Sequence, residues 1–261
     1  MRHTGITTFC ALAVSLLCVL AWPSGAGALS VITEVESVVS ETYLLNLTGQ
    51  FSTAYTQVDA AHSVSAVTAF TDSTLAGVDI VYLRRDVDTS SQAEALRNFV
   101  VAGGRLIVAN DHTQTFSRVA TEFGIAYGGG LTLGDRTATV VSPGRPIVTG
   151  AGGPVARFTG LGTNDGLTGT NPDFEALAIW EPGENSLGYI PLGAGDIACL
   201  TDISTFHDAY LGEADNQALW TNLFDLSTQP NGVIPEPGTL AAALMGLVAV
   251  GRYLRKRTRA I

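Results

Sequence analysis

Apolar positions in the first half of the chain switch, segment by segment, between the period of a strand and that of a helix. Residues 29–41 alternate weakly and read as a leading strand or an arm. Residues 42–47 form a compact apolar run that predicts a strand, broken by Thr48 and Gly49. Phe51, Ala54, Tyr55 and Val58 lie at helical spacing and predict a short amphipathic helix over residues 51–61. Residues 62–68 alternate as a strand, and residues 72–75 make one helical turn. Residues 77–83 form a strand with so little polar interruption that both its faces must be covered. Ser90 or Ser91 then caps a helix running to about Ala102, with Ala93, Leu96, Phe99 and Val100 inward and Gly103-Gly104 as its stop. Residues 105–109 are a strand, and a helix over residues 115–123 ends at Gly124. Strands alternating with helices at this spacing predict an α/β fold, a three-layer sandwich around a mainly parallel sheet.

The middle reads differently. Glycines and prolines punctuate residues 126–184, leaving room for short strands at 137–141, 156–158 and 176–180. The first two are expected as an antiparallel hairpin within a small glycine-rich β insertion, about residues 126–175, lying beside the main sheet. A strand follows at 197–200, and Leu219, Trp220, Leu223 and Phe224 mark the apolar face of a closing helix.

Both ends carry a pattern of another kind. Residues 1–28 have a polar start, an apolar core and Ala26-Gly27-Ala28, which reads as a secretory signal peptide cut after Ala28. At the other end Pro235, Glu236 and Pro237 lead into an apolar segment, residues 239–254, closed by a basic cluster with Arg255, Lys256 and Arg257. The segment is short for a comfortable span of ~20 residues, and the basic end is expected to stay cytoplasmic. Motif, apolar run and basic terminus together resemble the PEP-CTERM sorting signal of exopolysaccharide-producing Gram-negative bacteria. That resemblance implies an exosortase and the secretion machinery as partners, membrane contact through the C-terminal segment before processing, and delivery to the cell envelope, surface or extracellular matrix. The expected organisation is a signal peptide over 1–28, an α/β domain over 29–228, a linker over 229–234 and a sorting signal over 235–261.

The helix, Gly103-Gly104 and Arg105-Leu-Ile-Val108 resemble the class I glutamine amidotransferase-like superfamily, which has a flavodoxin-like fold. A second stretch supports the resemblance, from Asp202-Ile-Ser204-Thr-Phe206 to Asn216-Gln-Ala-Leu-Trp-Thr-Asn222. An active amidotransferase needs a nucleophilic cysteine in the turn after residues 106–109, and this chain has Asn110-Asp111-His112 there. The missing nucleophile argues against amidotransferase activity and leaves other catalysis open. After removal of the signal only Cys199 remains, inside an apolar strand, where it reads as a structural thiol; no intramolecular disulfide can form.

In open parallel sheets ligands meet the carboxyl ends of the strands. Asp111 and His112 follow one strand; Asp202, Ser204 and His207 follow another. Placed in one crevice, these side chains suit a divalent metal or a sugar hydroxyl; as the competing reading, Asp111 and Asp202 simply cap helices. Asp86 and Asp88 invite the same two readings. No cofactor motif occurs. From Leu29 to Glu236 the chain has eight basic residues against 24 acidic ones, a net charge of −16. That charge excludes nucleic acid as a partner and suits a neutral one such as extracellular polysaccharide. Two functions stand at this stage: a non-catalytic binding domain of a surface or matrix protein, or a metal- or carboxylate-dependent hydrolase or lyase acting on polysaccharide.

Overall fold

The computed structural model describes residues 28–34, 50–110, 116–128, 134–161, 166–181 and 183–227. Residues 1–27 of the expected signal peptide, the strand expected at 42–47, Asp111, His112 and the expected sorting signal lie outside the described residues.

Among the described residues a nine-stranded sheet holds the fold together, in the order β2-β1-β3-β4-β11-β10-β9-β6-β7. Its parallel half comprises β1 (Ser30–Glu34), β2 (Ser63–Val67), β3 (Ile80–Leu83), β4 (Arg105–Ala109) and β11 (Gly195–Leu200). Its antiparallel half continues through β10 (Asn185–Leu192), β9 (Glu175–Trp180), β6 (Asp135–Val140) and β7 (Arg157–Leu161). The parallel order 2-1-3-4 followed by a fifth strand is the flavodoxin-like arrangement.

Alternation along the buried strands divides the core into two. Ile80, Tyr82, Ile107, Ala109, Ala198 and Leu200 face one side. There they meet α1 (Ser52–Ala61), α5 (Pro146–Thr149) and α6 (Asn216–Leu223) through Ala54, Val58, Val148, Leu219 and Trp220. Val81, Leu83, Leu106, Val108, Ile197 and Cys199 face the other. They pack on α2 (Asp72–Leu75), α3 (Ser90–Val101) and α4 (Ser117–Phe123) through Leu75, Leu96, Val100, Val119 and Phe123. Apolar residues on both faces of a strand are what a sheet covered on both sides requires.

Of the leading segment, Ser30–Glu34 is a strand and lies inside the sheet, between β2 and β3. The structure departs from the sequence pattern in three places. Thr89, not Ser90 or Ser91, caps α3, accepting from Gln92 N at 3.3 Å. The expected hairpin, now β6 and β7, is not beside the sheet but extends it through β9; β5 (Ile125–Gly128) and β8 (Gly166–Gly169) form the separate two-stranded sheet instead. Finally, β10 is a full strand between β9 and β11 whose pattern is obscured by Gly188 and Pro191. Among the described residues no helix is long and apolar enough to cross a membrane.

Candidate functional site

The crevice forms where β4 and β11 end side by side. Leu200 pairs with Ala109, and the strands stay joined past that point: Asn110 N donates to Leu200 O at 3.0 Å and Ile203 N to Asn110 O at 3.0 Å. The chain therefore delivers Asn110 and Asp202 to neighbouring points on one sheet end. A 3-10 turn, Ile203–Phe206, follows at once.

Asp202 caps this turn. Its Oδ1 accepts from Ser204 N at 2.8 Å and lies 2.6 Å from Ser204 Oγ. The carboxylate is 4% exposed because β7 crosses above it. Gly160 makes that crossing: a Cβ there would lie 2.3 Å from Asp202 Oδ2 and 3.2 Å from Thr205 Oγ1. Ser204 Oγ accepts from Leu161 N at 2.7 Å and stands 2.6 Å from Leu161 O. With one proton to give, the hydroxyl serves either that carbonyl or Asp202 at any moment. Asp202 and Ser204 are thus brought together, and Ser204 holds β7 down. His207 faces elsewhere: its Nδ1 accepts from Ala209 N at 3.0 Å, and its ring meets Phe51 edge-on at 5.6 Å. Of the acidic loop residues, Asp208 caps α1 through Thr53 N at 2.9 Å, and Asp86 caps α4 through Val119 N at 3.0 Å. These carboxylates satisfy helix N-termini whose own first residues supply no side-chain cap.

Asn216, which the sequence reading passed over as a site residue, governs the same region. Its Oδ1 accepts from Thr159 N at 2.8 Å, while Nδ2 donates to Thr159 O at 2.9 Å, Thr205 O at 2.9 Å and Tyr210 O at 2.8 Å. Asp215 adds the end of the strand, its Oδ2 accepting from Arg157 N at 3.0 Å and its own amide donating to Arg157 O at 3.0 Å. Arg157, Thr159 and Leu161 are therefore all bonded by groups following β11, so the outer edge of β7 is closed to further pairing. An asparagine buried at the start of a helix is the one sequence signal for this role.

Buried polar atoms gather around the crevice. Asn110 is fully buried at the end of β4, and among the described residues neither atom of its carboxamide has a hydrogen-bond partner. The same holds for Thr205 Oγ1 beside Asp202, and for Ser186 Oγ in β10, whose carbonyl accepts from Thr201 N at 3.1 Å. Such groups are rarely left unsatisfied in a folded protein, and a polar ligand or water meets that need. Cys199 lies one strand-turn below, fully buried, its thiol pushed up to about 12 by burial, with Tyr127 as a hydrogen-bond partner pulling the other way. It stays protonated at neutral pH and cannot act as a thiolate nucleophile. Among the described residues no group of three or more His, Cys, Asp or Glu side chains is placed to hold a metal ion. A separate cleft of about 690 Å³ opens at the opposite, amino end of β1, β3 and β4, between Ser30, Asp72, Asp79, Asn98 and Gly104.

No protein-family model matches the sequence, and no curated protein does. Solved structures do resemble the fold. The N-terminal domain of mmIFT52 has a TM-score of 0.60 at 15% identity, over 76% of this chain and 96% of that one. A putative ThuA-like protein from Bacteroides uniformis has a TM-score of 0.55 at 12% identity, over 81% of this chain and 98% of its own. A β-galactosidase from Rahnella sp. R3 has a TM-score of 0.52 at 16% identity, over 80% of this chain but only 32% of the enzyme. At these identities the likeness is one of fold alone, an α/β fold built on a large, mostly parallel sheet.

Proposed function

We propose that this chain is an exported surface or extracellular-matrix protein whose α/β body binds a small polar ligand, or a polar group of a larger glycan, without transforming it. The observation that carries the binding role is the set of buried, unpartnered polar atoms of Asn110, Thr205 and Ser186 around Asp202, at the end of the sheet where this class of fold meets ligands. The acidic body favours a neutral partner, which suits exopolysaccharide. Delivery rests on the signal peptide and on Pro235, Glu236, Pro237 and the basic tail with Arg255, Lys256 and Arg257, which an exosortase would recognise. Titrating the exported protein with oligosaccharides from the producing cell should give saturable binding that Asn110→Ala weakens, with no product formed. Absence of saturable binding, with the protein folded, would discard the reading.

The second reading is a hydrolase or lyase acting on polysaccharide with Asp111, His112, Asp202 and His207. It is favoured by one fact, that β4 and β11 are parallel neighbours and deliver Asn110 and Asp202 side by side, although His207 turns away from that place. Divalent metal bound in stoichiometric amount, and turnover abolished by Asp202→Asn, would decide for it.

A further inference from the structure

The residue that signal cleavage would expose is already part of the sheet. β1 starts at Ser30, the second residue after the expected cut, and lies between β2 and β3. Leu29 O accepts from Ser63 N at 2.8 Å, and the Leu29 side chain packs on the core beneath α1 and α6. Leu29 N donates to His62 Nδ1 at 3.3 Å, and Ser30 N donates to Asp79 Oδ2 at 2.7 Å. Ala28, on the other side of the scissile bond, is exposed at the rim of the amino-end cleft. Burial holds His62 below its ordinary value against the pull of Asp79 and Asp225, which keeps its ring a neutral acceptor.

We infer that the α-ammonium freed at Leu29 is bound in this niche, with His62 Nδ1 and the Asp79 carboxylate as its acceptors, so that removal of the signal completes the fold. The inference rests on reading residues 1–28 as a cleaved signal. Cleavage by water breaks the Ala28–Leu29 amide, leaves a carboxylate on the departing peptide and turns an amide N–H into a charged donor with three hydrogens. The groups that face it are His62 between α1 and β2, Asp79 before β3 and Asp225 after α6; the nearby cation, Arg105, is committed to the Asp225 carbonyl at 2.9 Å. An N-terminal extension keeps the hydrogen bond to His62 and loses the charge. A charged donor makes the stronger bond.

The test uses the full chain exported from a Gram-negative host, with the mass of its N-terminal peptide measured. Chains starting at Leu29 and at Ala26, both ending at Ile261, are then compared by denaturant unfolding at pH 7. The expected result is a mature terminus at Leu29, an unfolding constant about fivefold to tenfold smaller for the Leu29 chain, and loss of that difference in Asp79→Asn. The Leu29 α-amine should also titrate above the ordinary range for a chain terminus, a readout that decides the matter if Asp79→Asn does not fold. A terminus at Leu29 with equal stabilities and an ordinary amine overturns the niche and leaves the signal intact. A terminus elsewhere overturns the cleavage reading and the niche with it.

Discussion

Arg105 shows how much a single side chain can bind together. It is fully buried, and its Nε and Nη2 grip Asp196 at 2.7 and 2.9 Å. Its Nη1 donates to the carbonyls of Asn222, Leu223 and Asp225 at 3.1, 3.1 and 2.9 Å, at and just past the C-terminal end of α6, where a cation is favoured. Asp196 also raises Tyr189, after burial the second cause that pushes this phenol to about 12. Arg105→Met should cost about 3–5 kcal/mol in urea unfolding, because it strands a buried carboxylate, and Arg105→Lys should recover only part of that for want of the planar fork. None of this is legible in the sequence: Arg105 reads as the polar start of a strand, and its partner lies 91 residues away. Acid stability is also decided at this scale. Burial holds His62 below its ordinary 6.5, so the neutral ring contributes stability above pH 6.5 that is lost as pH falls through its folded value. For Glu175, burial is outweighed by hydrogen bonds from Ser142 and Arg145; for Asp225, by those from Ser227 and Ala151. Both carboxyls therefore sit below their ordinary values, and their contribution disappears only under more acidic conditions. Urea midpoints measured from pH 8 to pH 3 should fall in two stages, the first beginning near pH 6.5 and absent in His62→Gln, the second below about pH 4.

At the scale of elements, the antiparallel half of the sheet depends on its last strand being held from outside. Asn216→Ala would leave Thr159 N–H and three carbonyls without their present partner, at a cost of about 2–4 kcal/mol and with a β7 edge newly open to other chains. Gly160→Ala should destabilise by about 1–3 kcal/mol, since its methyl group meets the Asp202 carboxylate, which is buried and held by Ser204. Thermal unfolding and light scattering check both. β3 and β4 were legible because β3 is a continuous apolar run and β4 is one from Leu106 onward, both buried at every position. The placement of β6 and β7 was not, because it depends on side chains from residues 204–216 reaching back to residues 157–161, contacts with no local signature.

For the molecule as a whole, the sequence pattern captured the α/β architecture, whereas the meeting of β4 with β11, on which a shared crevice depends, is shown by the strand pairing alone. Asp202 and Ser204 lie together at the end of β11; His207 does not join them, since the turn that starts at Asp202 carries it round to α1. Asn110, Thr205 and Ser186 were missed because an uncharged polar residue gains meaning only once burial removes its water. Cys199, buried at the centre, offers a gauge of global integrity: in a chain starting at Leu29 it should resist thiol reagents at pH 8 and become reactive only in step with unfolding of the sheet.

The place of β11 has a consequence for the order in which the protein comes into being. This strand lies between β4 and β10, yet Leu200 is synthesised more than ninety residues after Arg105. Until it emerges, the two halves of the sheet have no common seam, and β4 carries an unpaired border of apolar strand. A ribosome or translocon handing over residues 29–190 alone would release a sticky intermediate, so truncations before Gly195 should precipitate where the longer chain stays soluble.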